Sequence, residues 1–106
     1  MRPIHVVRLD KSRPAVVLTR EIVRPHVKWW TVAPITSRVR GLFTEVAVGL
    51  ANGLERESVI SCDNVATVPV ADVGHLVGYL ADDQERQLAR AIMTAYDLEM
   101  PSLEAD

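Results

Sequence analysis

The chain of 106 residues contains one cysteine, Cys62, which excludes an intramolecular disulfide and cannot by itself build a structural zinc site. No apolar run approaches the ~18 residues that a membrane-spanning helix needs. The opening Met1-Arg2-Pro3-Ile4-His5 is charged and broken by proline, with no apolar core followed by a small-residue cleavage site, so a cytoplasmic protein in a reducing compartment is expected. There is no glycine-rich phosphate loop, no His-Glu-x-x-His and no Cys/His metal spacing, so neither a metal nor a cofactor is expected. Internal repeats and low-complexity tracts are also missing. The three histidines, His5, His26 and His75, lie far apart in sequence and indicate no acid/base pair. His5 alternates with Ile4 and Val6, which makes it a surface or interface residue. Cys62 ends an apolar run and reads as a small buried hydrophobe rather than a nucleophile.

What is present is one ordinary domain, with 48% hydrophobic and 25% charged residues. The net charge of −2 conceals an asymmetry. Up to position 40 there are nine basic residues against two acidic ones, a surplus of seven, and the remainder carries three against twelve. Two readings stand at this point: a basic face that meets a phosphate-bearing or acidic partner, or two halves that interleave in the fold and cancel.

Along the chain, Ile4–Leu9 has the β-branched content of a strand and Asp10–Arg13 the polarity of a tight connection, so the next strand completes a hairpin. That strand, Pro14–Thr19, is expected to begin at its proline. Arg20–Val27 reads as a loop with one helical turn, and Lys28–Ile35 as a third strand. Further strands are expected over Phe43–Val48, Ser58–Cys62 and Asn64–Val68, with a turn at Asn52-Gly53. Asp72–Leu80, punctuated by Gly74 and Gly78, suggests a helical turn plus a short final strand. Regular short strands imply a small barrel or sandwich. Asp82 with Glu85 forms a variant capping box, and Leu88, Ala91, Ile92, Ala95 and Tyr96 recur at helical spacing, giving one amphipathic helix from about Asp83 to Leu98, stopped by Pro101. The domain thus spans residues 1–100, and Pro101–Asp106 reads as an acidic, disordered tail.

The stretch Thr31–Gly41 carries the chemistry. An apolar strand stops at Pro34-Ile35 and then presents two hydroxyls, Thr36 and Ser37, and two guanidiniums, Arg38 and Arg40. In Trp29-Trp30, adjacent strand residues point to opposite faces, so one fills the core and the other is left for stacking or a subunit contact.

The runs Arg13–Leu18 and Val32–Ser37 with Gly41, then Thr44-Glu45-Val46, Ser58-Val59 and Cys62-Asp63-Asn64, resemble in that order the MazF/PemK toxins of bacterial toxin–antitoxin pairs. The resemblance covers nearly the whole chain. It implies a mainly β, SH3-like barrel with a C-terminal helix and a homodimer. It implies also a metal-independent endoribonuclease that cuts single-stranded RNA, neutralised by the acidic C-terminal tail of a MazE-like antitoxin. The positions matching its catalytic arginine and threonine are Arg13 and Thr36. Many relatives carry a long Gly-Ser-Glu-rich loop before that arginine; here only Asp10-Lys11-Ser12 stands, so no cut-site preference is carried across.

Metal-free cleavage of RNA uses the 2′-hydroxyl as an internal nucleophile, which requires a charge stabiliser, a proton acceptor and a proton donor. Arg13 suits the first role, because a guanidinium holds two phosphoryl oxygens at once but is a poor base. Thr36 is placed to bond the scissile phosphate, Asp10 is a candidate acceptor and Ser37 a second hydroxyl. Lys11, Arg38, Arg40 and one of Trp29 and Trp30 are the candidates for holding RNA. A different class stays open: a CcdB-like poison of the same fold that binds a target such as gyrase and cuts nothing.

Overall fold

The continuous apolar run of the second strand is explained by burial on both of its faces. A computed structural model describes residues 1–99, with strands β1 (Pro3–Arg8), β2 (Ser12–Val17), β3 (Trp29–Thr36), β4 (Glu45–Val48), β5 (Ser58–Ser61), β6 (Ala66–Pro69) and β7 (Val73–Tyr79). Helix α1 (Asp82–Ala95) follows. Val16 packs with Ile4, Ala33, Ile35, Val46, Ile60, Leu88 and Ala91 in the larger core. Its neighbours Ala15 and Val17 turn to the other face, against Val7, Val32 and Val68.

The sheet runs β4-β5-β3-β2-β1-β7, and β6 lies beside the first half of β3. The ladder of β3 to β6 covers Trp29 to Val32, and that to β5 covers Ile35 and Thr36. Pro34 falls in the gap between those two ladders, paired with neither β5 nor β6, and its one ladder partner is Ala15 of β2 on the other side. This change of partner bends the sheet over the larger core. The two ends, β4 and β7, do not pair with each other, so the arrangement is barrel-like without closing.

Several boundaries differ from the expectation. β2 starts at Ser12, not at Pro14, because its ladder to β1 already pairs Ser12 with Arg8, Arg13 with Val7 and Pro14 with Val6, while the ladder to β3 begins at Ala15. β4 starts at Glu45 rather than Phe43; the Glu45 backbone N–H closes a turn onto Leu42 O at 3.1 Å and leaves Phe43 outside the strand. β6 starts at Ala66, since Cys62–Asn64 forms a 3-10 turn. Arg24–His26 supplies the expected single helical turn. The segment after Asp72 is a full seven-residue strand, and the helical turn precedes it at Val70–Asp72. Its glycines mark close backbone approach instead of interruption: a Cβ on Gly78 would lie 2.1 Å from the Asn52 carbonyl oxygen.

The helix is shorter than its pattern. Its N-terminus is capped by Gln84, whose Oε1 accepts the Ala81 N–H at 2.9 Å, and not by an Asp82/Glu85 pair. Glu85 instead meets Arg2 Nε at 3.3 Å, while Arg2 Nη1 donates to the carbonyls of Val17 and Leu18, tying the helix to the end of β2. At the other end Asp97 adopts φ +53, and Leu98 N–H closes onto Met93 O at 2.8 Å, so the chain turns off before Pro101. The acidic tail Pro101–Asp106 lies outside the described residues.

Asn52 holds helix, turn and β7 together. Only 4% exposed, its Oδ1 accepts from Gly49 N at 3.0 Å and Gln84 Nε2 at 3.1 Å. Its Nδ2 donates to Tyr79 O at 2.9 Å and Gln84 Oε1 at 2.7 Å. An Asn52→Ala variant strands two backbone groups and a glutamine, so it is expected to cost about 2–4 kcal/mol and to lower the thermal midpoint by roughly 10–25 °C. A midpoint within a few degrees of the parent would show that water replaces these bonds at no cost.

Candidate active site

The ladder between β2 and β3 pairs Ala15 with Pro34, Val16 with Ala33 and Val17 with Val32. Continued by two residues, the same register sets Arg13 opposite Thr36. Arg13 is held from the other side as the partner of Val7 in β1, and its Nη2 donates to Asp10 Oδ2 at 3.0 Å across the hairpin turn. Its Nε–H is buried and has no partner among the described residues. A buried donor without an acceptor is costly unless a ligand supplies one. The Thr36 Oγ1 accepts the Arg38 backbone N–H at 3.1 Å, which leaves its own proton free to donate.

Two grooves meet along this line. One, of about 610 Å³, has an apolar wall of Val6, Pro14, Ile35, Leu76 and Val77 and a polar one of Glu55, Arg56 and His75. The other, of about 760 Å³, is lined by Asp10, Arg38, Arg40, Leu42, Glu45, Ser61, Asp63 and Asn64. Lys11, Arg13, Thr36 and Ser37 line both and form the ridge between them. All the expected catalytic residues, with Lys11, Arg38 and Arg40, are therefore brought together.

The tryptophans are not. Trp30 faces the smaller core, its Nε1–H donating to Arg24 O at 3.2 Å and its ring meeting His5 edge-on at 6.0 Å. Trp29 is the outward one, 57% exposed, and lines neither groove. His5 is half-buried, its ring against Trp30 and its Nδ1 2.9 Å from Gly74 O. Cys62 is buried as expected. Burial, and then the neighbouring Asp63 charge, push its thiol up to about 11, so it stays protonated at neutral pH.

Glu45, Arg56, His75, Asp63 and Asn64 enter the grooves without having been singled out as site residues. The carboxylate of Asp63 accepts from Thr44 Oγ1 at 2.6 Å, and Asn64 Nδ2 donates to Ser61 Oγ at 2.7 Å. Glu45 Oε1 accepts from the backbone N–H groups of Arg40 at 3.2 Å, Gly41 at 2.8 Å and Leu42 at 3.1 Å. No local signal marks that cradle, because it joins a strand to a loop whose backbone path the sequence does not reveal. Gly41, at φ +78, gives the loop the left-handed turn it needs.

The fold and this ridge define the class: the chain belongs to the PemK-like, MazF-like toxins of type II toxin-antitoxin systems, whose family profile matches residues 7–96. It is 59% identical over 99 residues to the endoribonuclease MazF3 of Mycobacterium tuberculosis (strain ATCC 25618 / H37Rv), a match covering 93% of this chain and 96% of that one. The solved Mycobacterium tuberculosis toxin MazF-mt6 superposes with a TM-score of 0.92 at 57% identity, covering 93% of this chain and all (100%) of that one. The probable endoribonuclease MazF5 of the same H37Rv strain is 36% identical over 86 residues, or 80% of this chain and 79% of that one.

Burial pushes the Glu45 carboxyl up, but the N–H groups of Leu42, Arg40 and Gly41 and the Arg40 charge outweigh it and hold the group below the ordinary glutamate value. A lowered folded value means the contribution is complete above the ordinary carboxylate range and is lost as pH falls through the folded value. The amides of Arg40, Gly41 and Leu42 are accordingly expected to be protected from hydrogen exchange at pH 7 and to lose protection factors in acid. Glu45→Ala should abolish the protection at both. Equal protection in the parent and the variant would remove Glu45 as the anchor of the loop.

Proposed function

We propose that the protein is an endoribonuclease toxin that cuts single-stranded RNA without a metal ion, by attack of the 2′-hydroxyl on the adjacent phosphate. The products are a 2′,3′-cyclic phosphate and a 5′-hydroxyl. The observation that carries this reading is the Arg13 guanidinium, with its buried, unpartnered Nε–H, set opposite the Thr36 hydroxyl on a ridge between two grooves. A protein that only binds and poisons a target has no need of that pairing. The activity named for the relative at 59% identity supports the same conclusion.

On this reading the Nε–H and the free Nη of Arg13 hold the two non-bridging oxygens as charge builds on the phosphorane, and Thr36 donates its hydroxyl proton to one of them. Asp10 and Asp63, two of the carboxylates lining the larger groove, are the candidates for taking the 2′-hydroxyl proton, the departing 5′-oxygen takes a proton from solvent water to leave as the 5′-hydroxyl, and Ser37 is the second hydroxyl for the phosphate. Arg38, Arg40 and Lys11 hold flanking phosphates. RNA is expected to be cut in excess EDTA with a cyclic phosphate at the mapped 3′ ends. Arg13→Ala should slow single-turnover cutting by about 10²–10³. Arg38→Ala and Arg40→Ala should weaken binding and each reduce the slope of log K against log salt by about 1, with little change at saturating protein. A 5′-phosphate product would overturn the mechanism.

The partner follows from the family, whose toxins are paired with antitoxins. A basic groove that receives RNA phosphates also receives a disordered acidic peptide, which orders as it binds. The protein is read as a symmetric homodimer acting in the cytoplasm, its groove shared by two subunits, with the acidic tail of a MazE-like antitoxin and RNA competing for Lys11, Arg13, Arg38 and Arg40. No helix among the described residues is long and apolar enough to cross a membrane. A synthetic acidic tail should raise the apparent Kd for an uncleavable RNA in proportion to its concentration, and less at high salt. Simultaneous binding with unchanged affinities would place the inhibitor elsewhere.

A further inference from the structure

Phe43 is 94% exposed, the highest value among the large apolar side chains of the described residues. Such a ring on a free loop could fold back on the protein, but this loop is pinned on both sides of it. The Glu45 carboxylate takes the amides of Arg40, Gly41 and Leu42 before it. After it, Thr44 Oγ1 donates to Asp63, and Thr44 O accepts the Cys62 N–H at 3.0 Å. The backbone therefore holds the ring out in water, next to Leu42 in the wall of the larger groove and in the same loop as Arg38 and Arg40. Those two guanidiniums decide what can cover it. The occupant must offer a flat apolar face for the ring and negative charge for its neighbours in alternation, which single-stranded RNA does with its bases and phosphates.

We propose that Phe43 is a stacking platform for one base of the bound RNA, on the Arg38–Arg40 side of the scissile phosphate. The proposal rests on the RNA-cutting reading above. Stacking on an aromatic ring tolerates any base, so Phe43 adds affinity and fixes the path of the strand, leaving sequence choice to the groove walls.

The test uses an oligoribonucleotide that spans a mapped cut site and carries one 2′-deoxynucleotide to prevent cutting, titrated in EDTA against the parent, Phe43→Ala and Phe43→Trp. Phe43→Ala should fold normally and raise Kd by roughly 5- to 100-fold, while Phe43→Trp keeps the affinity of the parent. Oligonucleotides with one abasic residue at successive positions should include one that weakens binding to the parent but adds nothing further in Phe43→Ala. A Kd within twofold for Phe43→Ala, or abasic losses that add fully to the substitution at every position, overturns the platform while the RNA-cutting reading stands. Dissociation of the protein into monomers on Phe43→Ala overturns it in favour of a subunit contact. If the parent neither binds nor cuts RNA in EDTA, both readings fall.

Discussion

The short ladder between β2 and β3 is the constraint on which the site depends. Its three residue pairs carry Ala15, Val16 and Val17 opposite Pro34, Ala33 and Val32, all buried, with Val16 and Ala33 in one core and Ala15, Val17 and Val32 contributing to the other face. A slip of one residue would exchange those faces for the whole strand, so the apolar side chains specify the register strongly. Arg13 and Thr36 lie at the open end of that ladder, where the strands no longer pair directly with each other but are still directed by it. The guanidinium is aimed by packing several residues away, and the bond to Asp10 only trims its position. Burying the Arg13 Nε–H without a partner costs stability, and the surrounding core is what makes that cost tolerable.

The positive charge of the first forty residues divides by the same logic. Arg2 is spent on the carbonyls of Val17 and Leu18 and on Glu85, and Arg24 Nε on the carbonyl of Thr19. Lys11, Arg13, Arg38 and Arg40 remain at the grooves, so the basic half and the acidic half neither cancel throughout nor separate cleanly. Asp82, Asp83 and Glu85 lie in the first turn of α1, where the helix dipole favours them. Glu45 shares the larger groove with Asp10 and Asp63, and its charge is met by three backbone donors.

Much was legible in the chain. Continuous or alternating apolar runs marked most of the strands, the 3.6-residue recurrence of Leu88, Ala91 and Ile92 marked the helix, and Arg13 and Thr36 stood out through the order of short motifs around them. The errors share one cause. Pro14 inside β2, Gly74 and Gly78 inside β7 and Phe43 outside β4 all turn on what lies across from the residue. A proline is tolerated where no ladder hydrogen bond needs the N–H it lacks, and a glycine is required where another backbone comes close. Local propensity sees neither.

The sequence by itself determined the mainly β class with short strands, the apolar second strand of the opening hairpin and the closing helix, because each follows from hydrophobic periodicity, while Arg13 and Thr36 were marked by the resemblance to a family and not by their spacing. Only the tertiary structure decided that Trp30 turns inward and Trp29 outward, that Asn52 binds helix to strand, that Glu45 fastens the arginine loop, and that Arg56, His75, Asp63 and Asn64 join the grooves. Those outcomes depend on strand register and on long-range backbone approach, and the side chains concerned look the same in sequence whichever way that register falls.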